Sequence, residues 1–414
     1  MAKTTTFRTT DLPIAQTTAE FFADKRFRIL SRSGLHPTET LLIAQICARL
    51  PDAPAPAHIL ITGNRTGAAV MVATALFPDS HITCHTLDLY YARTILRNLQ
   101  ANKVASAFIH DPNVHCPIKD TAPGKARVLV SCTLDMPDAP YDLALFAGAS
   151  TSGITGELYL DQLEEVHERL VMGGLCIVAY EGKKKGHLKP IKKIFHSFTV
   201  HMEQKRLFCA SARKQRPLDW RRRNFCGHFK GSIALPNTSP IILTSLPGVF
   251  CHRRADKGGI ALTEIAIQEL LPNRRVLDLG CGCGLVGVLL AVHQVGTSVT
   301  FVDSYARAIA STSFNLSSLE LDGHTLVLSD AGLQDTGVPT GEFDMVVANP
   351  PYFSDFRIAQ LFVDTAYEAL RPGGLAFFVT QSPEGIIGCL RNRFAITAIS
   401  IVNRRGYYVI RAMR

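Results

Sequence analysis

Short apolar runs alternate along this chain with longer amphipathic stretches, and the clearest rhythm lies in its C-terminal half. Arg275-Val276-Leu277-Asp278-Leu279 is too short for a helix and rich in branched residues, so it predicts a buried strand. A glycine-rich turn follows it, then an apolar helix over 285–293. Residues 298–303 predict a second strand, 306–319 a helix, 325–328 a third strand and 343–348 a fourth. A helix over 358–370 runs into the stop signal Arg371-Pro372-Gly373-Gly374, and 375–380 predicts a fifth strand. Residues 394–402 and 407–412, joined through Arg404-Arg405-Gly406, read as a hairpin. The implied fold class is α/β: a mostly parallel, doubly wound sheet with a C-terminal antiparallel hairpin.

The N-terminal half repeats this rhythm with worn motifs. His58-Ile59-Leu60-Ile61-Thr62 runs into Gly63-Asn64-Arg65-Thr66-Gly67 and an apolar helix. Residues 81–87 predict a second strand ending near Asp88, with helix-like sequence to Asn102. Tyr141-Asp142-Leu143-Ala144-Leu145-Phe146 matches Phe343-Asp344-Met345-Val346-Val347-Ala348, and Leu170-Val171-Met172-Gly173-Gly174 matches Leu370-Arg371-Pro372-Gly373-Gly374, each roughly 200 residues apart. Two tandem doubly wound domains are expected: 1–215, a basic linker over 216–239, and 240–414. A short strand at 240–244 is expected to open the second domain.

The 414 residues are ample for two cores, with 47% hydrophobic and 19% charged residues. No apolar run reaches the ~18 residues of a membrane span, and Met1-Ala2-Lys3-Thr4-Thr5-Thr6 lacks a secretory apolar segment, so a cytoplasmic location is expected. The eleven cysteines then read as small buried hydrophobes. The formal net charge is +9, and fourteen Lys or Arg against two acids crowd the stretch from Lys183 to Arg223. The clusters Lys183–Lys193 and Arg213–Arg223 suit a polyanionic partner, because neutralising phosphates is what such clusters do well. His252-Arg253-Arg254 is a second candidate phosphate contact.

Gly280-x-Gly282-x-Gly284 sits between a strand and a helix, where glycines let the backbone turn tightly and approach a ligand. Asp303 ends the second strand about twenty residues on, where a carboxylate accepts ribose hydroxyls. The same turn satisfies a dinucleotide fingerprint, so on its own it leaves hydride and methyl transfer open. Asp278, just before the turn, favours a cofactor with an ammonium group, such as S-adenosylmethionine, over a diphosphate that it would repel. Asp330, in Leu328-Ser329-Asp330-Ala331, is a candidate partner for an adenine amino group, with Ala331 beside it.

Asn349-Pro350-Pro351-Tyr352 follows the fourth strand directly. In an open sheet of this kind strands one and four flank the switch point, so this loop should face the cofactor's reactive end. The chemistry suits methylation of an exocyclic amine. An Asn oxygen and the Pro350 carbonyl can accept its two N–H bonds, the prolines stiffen the loop, and Tyr352 offers a stacking face. In the N-terminal half Ala147-Gly148-Ala149-Ser150 stands in place of this tetrapeptide and Arg65 near the place of Gly282, so that copy is expected to be non-catalytic. Cys281-x-Cys283 is expected to be core and not a metal site.

With these motifs the chain resembles the class I methyltransferases that modify exocyclic or amide nitrogens. More closely it resembles the tandem-domain ribosomal RNA guanine-N2 methyltransferases. The second likeness rests on the duplication, on Leu246-Pro247-Gly248-Val249-Phe250 with Asp256-Lys257-Gly258-Gly259 before the turn, and on the terminal Arg404-Arg405-Gly406-Tyr407-Tyr408-Val409-Ile410-Arg411. The resemblance implies S-adenosylmethionine as cofactor and ribosomal RNA or a ribosomal subunit as partner. It further implies that Phe250, Asp256 and Gly258 line the cofactor pocket with Asp278, Gly280, Gly282, Gly284, Asp303, Asp330, Ala331 and Asn349. It also implies an N-terminal copy that helps the protein fold and hold RNA. Tyr352 stands where that group usually has Phe, and Phe353 where it often has His. Adenine N6 and a protein glutamine amide therefore stay open as acceptors, as does a non-catalytic assembly factor. The chain is expected to act as a monomer.

Overall fold

The computed structural model describes residues 16–22, 25–31, 34–50, 54–119, 126–149, 155–182, 184–223, 225–233, 239–351 and 357–414. The N-terminal half comprises β1 (Gln16–Phe22), β2 (Lys25–Ser31), α1 (Pro37–Arg49), β3 (His58–Thr62), α2 (Ala68–Leu76), β4 (His81–His85), α3 (Leu89–Ala101), β5 (Ser106–His110), β6 (Val128–Cys132), β7 (Tyr141–Ala149), α4 (Thr155–Arg169), β8 (Leu170–Glu181), α5 (Lys184–Phe195), β9 (Thr199–Gln204) and β10 (Leu207–Arg213). The C-terminal half comprises β11 (Gly227–Gly231), β12 (Ile241–Ser245), α6 (Lys257–Ala266), β13 (Arg275–Leu279), α7 (Leu285–His293), β14 (Ser298–Asp303), α8 (Ala306–Ser318), β15 (Thr325–Leu328), β16 (Phe343–Ala348), α9 (Arg357–Ala369), β17 (Leu370–Thr380), α10 (Pro383–Leu390), β18 (Ile399–Arg404) and β19 (Tyr407–Met413).

The second sheet runs β15-β14-β13-β16-β17-β19-β18, parallel except for the terminal hairpin. The first runs β5-β6-β4-β3-β7-β8-β10-β9, the same winding with β6 inserted between β4 and the edge strand β5. The duplication holds at the level of register. Tyr141 pairs with Leu170 and Leu143 with Leu175, just as Phe343 pairs with Leu370 and Met345 with Leu375, with a bulge at the same place. Each copy closes alike. Gly173 donates to the Lys214 carbonyl and Lys214 back to Gly174, as Gly373 and Gly374 do with Arg414. The Lys214 and Arg414 side chains then reach the Leu170 and Leu370 carbonyls respectively.

Strands β13 and β16 are buried on both faces, which is why they read as continuous apolar runs. Helix α7 is apolar nearly all round because it is packed inside the core from Leu285 to Leu290. Among the described residues no helix is long and apolar enough to cross a membrane.

The stretch expected as a basic linker is instead built into the fold. Its residues Gly227–Gly231 form β11, antiparallel to β12. Arg222 meets Asp135, Asp161 and Glu165 at 3.2 Å each, and Arg223 pairs with the fully buried Glu164. These two arginines are spent on acids of α4 and its neighbours, so they are not free phosphate contacts as the sequence suggested. The same correction holds for His252 and Arg253, which meet Glu157 at 3.0 and 2.9 Å.

Those contacts join the halves, and others reinforce them. Arg307 on α8, 2% exposed, meets Asp161 on α4 at 2.5 Å. Leu89 donates to the Ser304 carbonyl and Ala306 to the Leu87 carbonyl, so the starts of α3 and α8 abut. His115 adds a short parallel bridge to β15 through its amide and carbonyl. One apolar core runs through both halves from Phe27 to Val409.

Candidate active site

The C-terminal ends of β13 and β16 open onto a cavity of about 1500 Å³. Strand order reverses between these two strands, and there an open sheet leaves a crevice. Phe250, Asp256, Asp278, Gly280, Gly282, Asp303, Asp330, Asn349, Pro350 and Pro351 line this one cavity. Gly258, Gly284 and Ala331 do not. Gly258 lies behind Asp256, Gly284 is the left-handed cap of α7, and the Ala331 amide is turned to the Ser329 hydroxyl. Tyr352 falls outside the described residues.

The glycine turn is shaped for a ligand. Gly282 has φ +59°, and an added Cβ would meet nothing within 4 Å, so the backbone there faces open space. Its N–H donates to Asp303 Oδ2 at 3.0 Å, and the Tyr305 N–H donates to Asp303 Oδ1 at 2.9 Å. Both oxygens of Asp303 are therefore fixed, each with a lone pair left for ribose hydroxyls.

Asp278 is 2% exposed and accepts from the Gly287 N–H at 2.9 Å. Burial, followed by the neighbouring Asp303 charge, pushes its carboxyl up to about 7. Among the described residues no cation pairs with it, and a buried carboxylate of this kind at the wall of an open cavity fits a ligand with an ammonium group. Asp330 is placed less simply. Arg93 of α3 meets it at 2.8 Å, in the poor alignment of an ion pair and not of a hydrogen bond. The carboxylate expected to serve an adenine amine is thus already engaged by the other half.

Asn349 is the first residue past β16. Pro350 and Pro351 cannot extend the ladder, so the chain leaves the sheet here. The Asn349 Nδ2 donates to Asp256 Oδ2 at 2.8 Å, and the same oxygen accepts from the Gly259 N–H at 2.7 Å. Because the amide nitrogen is committed to Asp256, the oxygen is the end left to accept from a substrate. Asp256, expected as a cofactor ligand, is seated as the cap of α6 and the holder of Asn349.

A family model described as "Methyltransferase small domain" matches residues 240–411. The C-terminal half is thus similar to a small methyltransferase domain. Ribosomal RNA small subunit methyltransferase C of Pseudomonas entomophila is 34% identical over 149 residues, 34% of this chain and 42% of that relative. The chain thus spans less than half the length of that relative. Ribosomal RNA large subunit methyltransferase G of Streptomyces coelicolor is 26% identical over 94% of this chain and 98% of its own length. A solved structure, the T. thermophilus 16S rRNA N2 methyltransferase in complex with AdoMet and guanosine, covers 96% of this chain and 98% of that one. Its TM-score is 0.70 at 20% identity, a likeness of the whole two-domain fold.

The N-terminal copy departs from the C-terminal copy wherever the latter opens onto the cavity. Strand register puts Ile61 opposite the place of Asp278, Arg65 at Gly282 and Thr86 at Asp303. Asp88, near the end of the second strand, is the cap of α3 and accepts from the Tyr90 N–H. Where the C-terminal copy breaks at Asn349, β7 continues as a regular strand through Ala147, Gly148 and Ala149. A Cβ on Gly148 would lie 2.4 Å from the Tyr180 ring, which fills the space. Glu39, 1% exposed, fills the start of α2 by accepting from the Thr66 hydroxyl at 2.7 Å and the Ala68 N–H at 3.2 Å.

The sequence missed Arg65, Tyr90 and Tyr91 as walls of this cavity, which they line from the N-terminal half. No local signal could place them there, because their proximity arises only from the docking of the two copies.

Proposed function

We propose that the chain transfers the methyl group of S-adenosylmethionine to an exocyclic amine of a ribosomal RNA base, guanine N2 in particular. The observation that carries the reading is the fixed Asn349 amide beside a glycine turn, two carboxylates and a stiff Pro-Pro loop, all on one cavity. When bound, S-adenosylmethionine supplies an electrophilic methyl group on a sulfonium. Asp278 holds its ammonium group, Asp303 its ribose hydroxyls, and the open backbone at Gly282 admits it.

The protein's own part is orientation. Asp256 fixes the Asn349 amide, so Oδ1 accepts one N–H of the substrate amine and the Pro350 carbonyl accepts the second. Accepting both bonds returns electron density to a nitrogen whose lone pair is delocalised into the ring, and aims it at the methyl group. The methylated amine is cationic and gives its proton to solvent. The names of the relatives support ribosomal RNA as the substrate, and the N-terminal copy is read as non-catalytic because Tyr180 and Glu39 fill its crevice.

The test is mass spectrometry of nucleosides from ribosomal RNA incubated with the protein and S-adenosylmethionine. N2-methylguanosine is the expected product, and Asn349→Ala should lower its rate roughly 10²–10³-fold with cofactor binding nearly intact. N6-methyladenosine, or methylation of protein glutamine instead of RNA, would replace the guanine reading.

A further inference from the structure

We propose that the worn turn of the N-terminal copy is the phosphate-binding wall of the nucleotide site, with Arg65, laid on Tyr91, receiving the phosphate of the nucleotide whose base enters toward Asn349. This rests on the reading of the site as one for an RNA nucleotide.

Three observations carry it. First, the cavity is too large for its cofactor alone. Drug-sized ligands fill roughly 300–1,000 Å³, and the cavity of about 1500 Å³ extends from the Gly282 turn to Arg65, Tyr90 and Tyr91. Second, the charge on its walls is divided. The C-terminal half contributes Asp256, Asp278, Asp303 and Asp330 around the glycine turn, which favour a cationic cofactor and repel a phosphate, although its Arg254 and Arg357 also line the cavity. Asp88 adds to that acidic end, where burial and the Asp303 and Asp330 charges push its carboxyl up to about 7. On the facing wall stands the guanidinium of Arg65.

Third, that guanidinium is unspent. Arg65 is half-buried, its guanidinium carbon lies 5.6 Å from the Tyr91 ring centre, and no carboxylate partner holds it among the described residues. Most other half-buried arginines of the chain are held by acids, as Arg93, Arg222 and Arg275 are. The ring leaves the guanidinium's N–H edge free while fixing its plane, and a planar fork matches two phosphate oxygens. Arg65 stands at the place of Gly282, so the same residue that closes one copy to cofactor equips it to hold the other copy's substrate.

The experiment compares guanosine 5′-monophosphate with guanosine, binding to the full chain in the presence of S-adenosylhomocysteine, for wild type, Arg65→Gln and Arg65→Lys. Wild type should bind the nucleotide at least ~10-fold tighter than the nucleoside, as a charge-assisted contact provides. Arg65→Gln should erase that preference while leaving guanosine and S-adenosylhomocysteine affinities unchanged, and Arg65→Lys should keep part of it. An unchanged preference in Arg65→Gln overturns the proposal, and so does a loss of S-adenosylhomocysteine affinity with no loss of the preference. Failure of wild type to bind guanosine at all would instead overturn the guanine reading itself.

Discussion

Asp278 lies beneath the glycine turn with one oxygen taken by the Gly287 N–H and its carboxyl pushed up to about 7 by burial. To meet an ammonium group it must be ionised, so below pH 7 cofactor binding has to expel a proton. Affinity for S-adenosylmethionine should therefore fall on going from pH 7.5 to 5.5, approaching tenfold per pH unit at the acid end. Asp278→Asn should bind weakly at both values. Titration calorimetry checks this, and a flat wild-type profile would remove Asp278 from the ammonium site. Glu39 obeys the same physics in the other copy. Burial raises its carboxyl to about 7, against an ordinary value near 4.5. Between these values the folded chain binds more protons than the unfolded chain, so stability falls as pH rises through that window, by about 3 kcal/mol. Glu39→Gln keeps both acceptor bonds and drops the charge. It should raise stability at pH 8 and leave pH 4.5 nearly unchanged, as read from denaturant melts. Residue types were legible here before their partners were. Asp278, Asp303 and Asn349 stand out in sequence because their spacing from β13 and β16 fixes where they go. That Asp256 serves Asn349 depends on a contact between residues 93 positions apart, which no local pattern encodes.

At the scale of elements, β13, α7, β14 and β16 fall where the apolar runs predict, because strands buried on both faces leave unbroken apolar sequence. The sequence was silent on β5, whose Ser106 and His110 ends are half-buried and blunt the signal. It was equally silent on β11, whose alternation Gly-His-Phe-Lys-Gly belongs to an edge ribbon. Charge misled for a related reason, since a basic run can be a row of internal partners. Helix α5 and the irregular segment at 221–223 are both basic in sequence but differ in structure at Arg222. Lys189, Lys192 and Lys193 on α5 are exposed, whereas Arg222 is 19% exposed among four acids. Converting the three lysines to Gln should leave melting unchanged and reduce the salt slope of RNA binding by about 2–3. Arg222→Gln should do the reverse, costing about 3 kcal/mol of stability by leaving the buried Glu165 and Asp161 without it. Equal salt slopes for the lysine variant and wild type would take α5 out of the RNA contact.

The two copies act as one body because polar contacts, not only apolar ones, cross between them. The most buried is Arg307 with Asp161, 2% and 4% exposed at 2.5 Å. Arg307 is the second residue of α8, whose first residue Ala306 donates to the Leu87 carbonyl of the N-terminal copy. The same junction carries Asp303, Ser304 and Tyr305 into the cavity wall. Stability and cofactor affinity should therefore fall together when the junction is loosened. Arg307→Met leaves Asp161 buried with only the Arg222 contact, and removing one partner of such a pair costs about 3 kcal/mol or more. The variant should melt in two steps where wild type melts in one, and bind S-adenosylmethionine several-fold more weakly, although no substituted atom belongs to the proposed cofactor site. Pairing it with Asp161→Asn should recover part of the stability, because the uncompensated charge is then gone. Calorimetric melts with and without cofactor read both effects. A single transition at the wild-type temperature in Arg307→Met would mean that the apolar core alone joins the copies, and that the ion pair merely accompanies a junction fixed by other contacts.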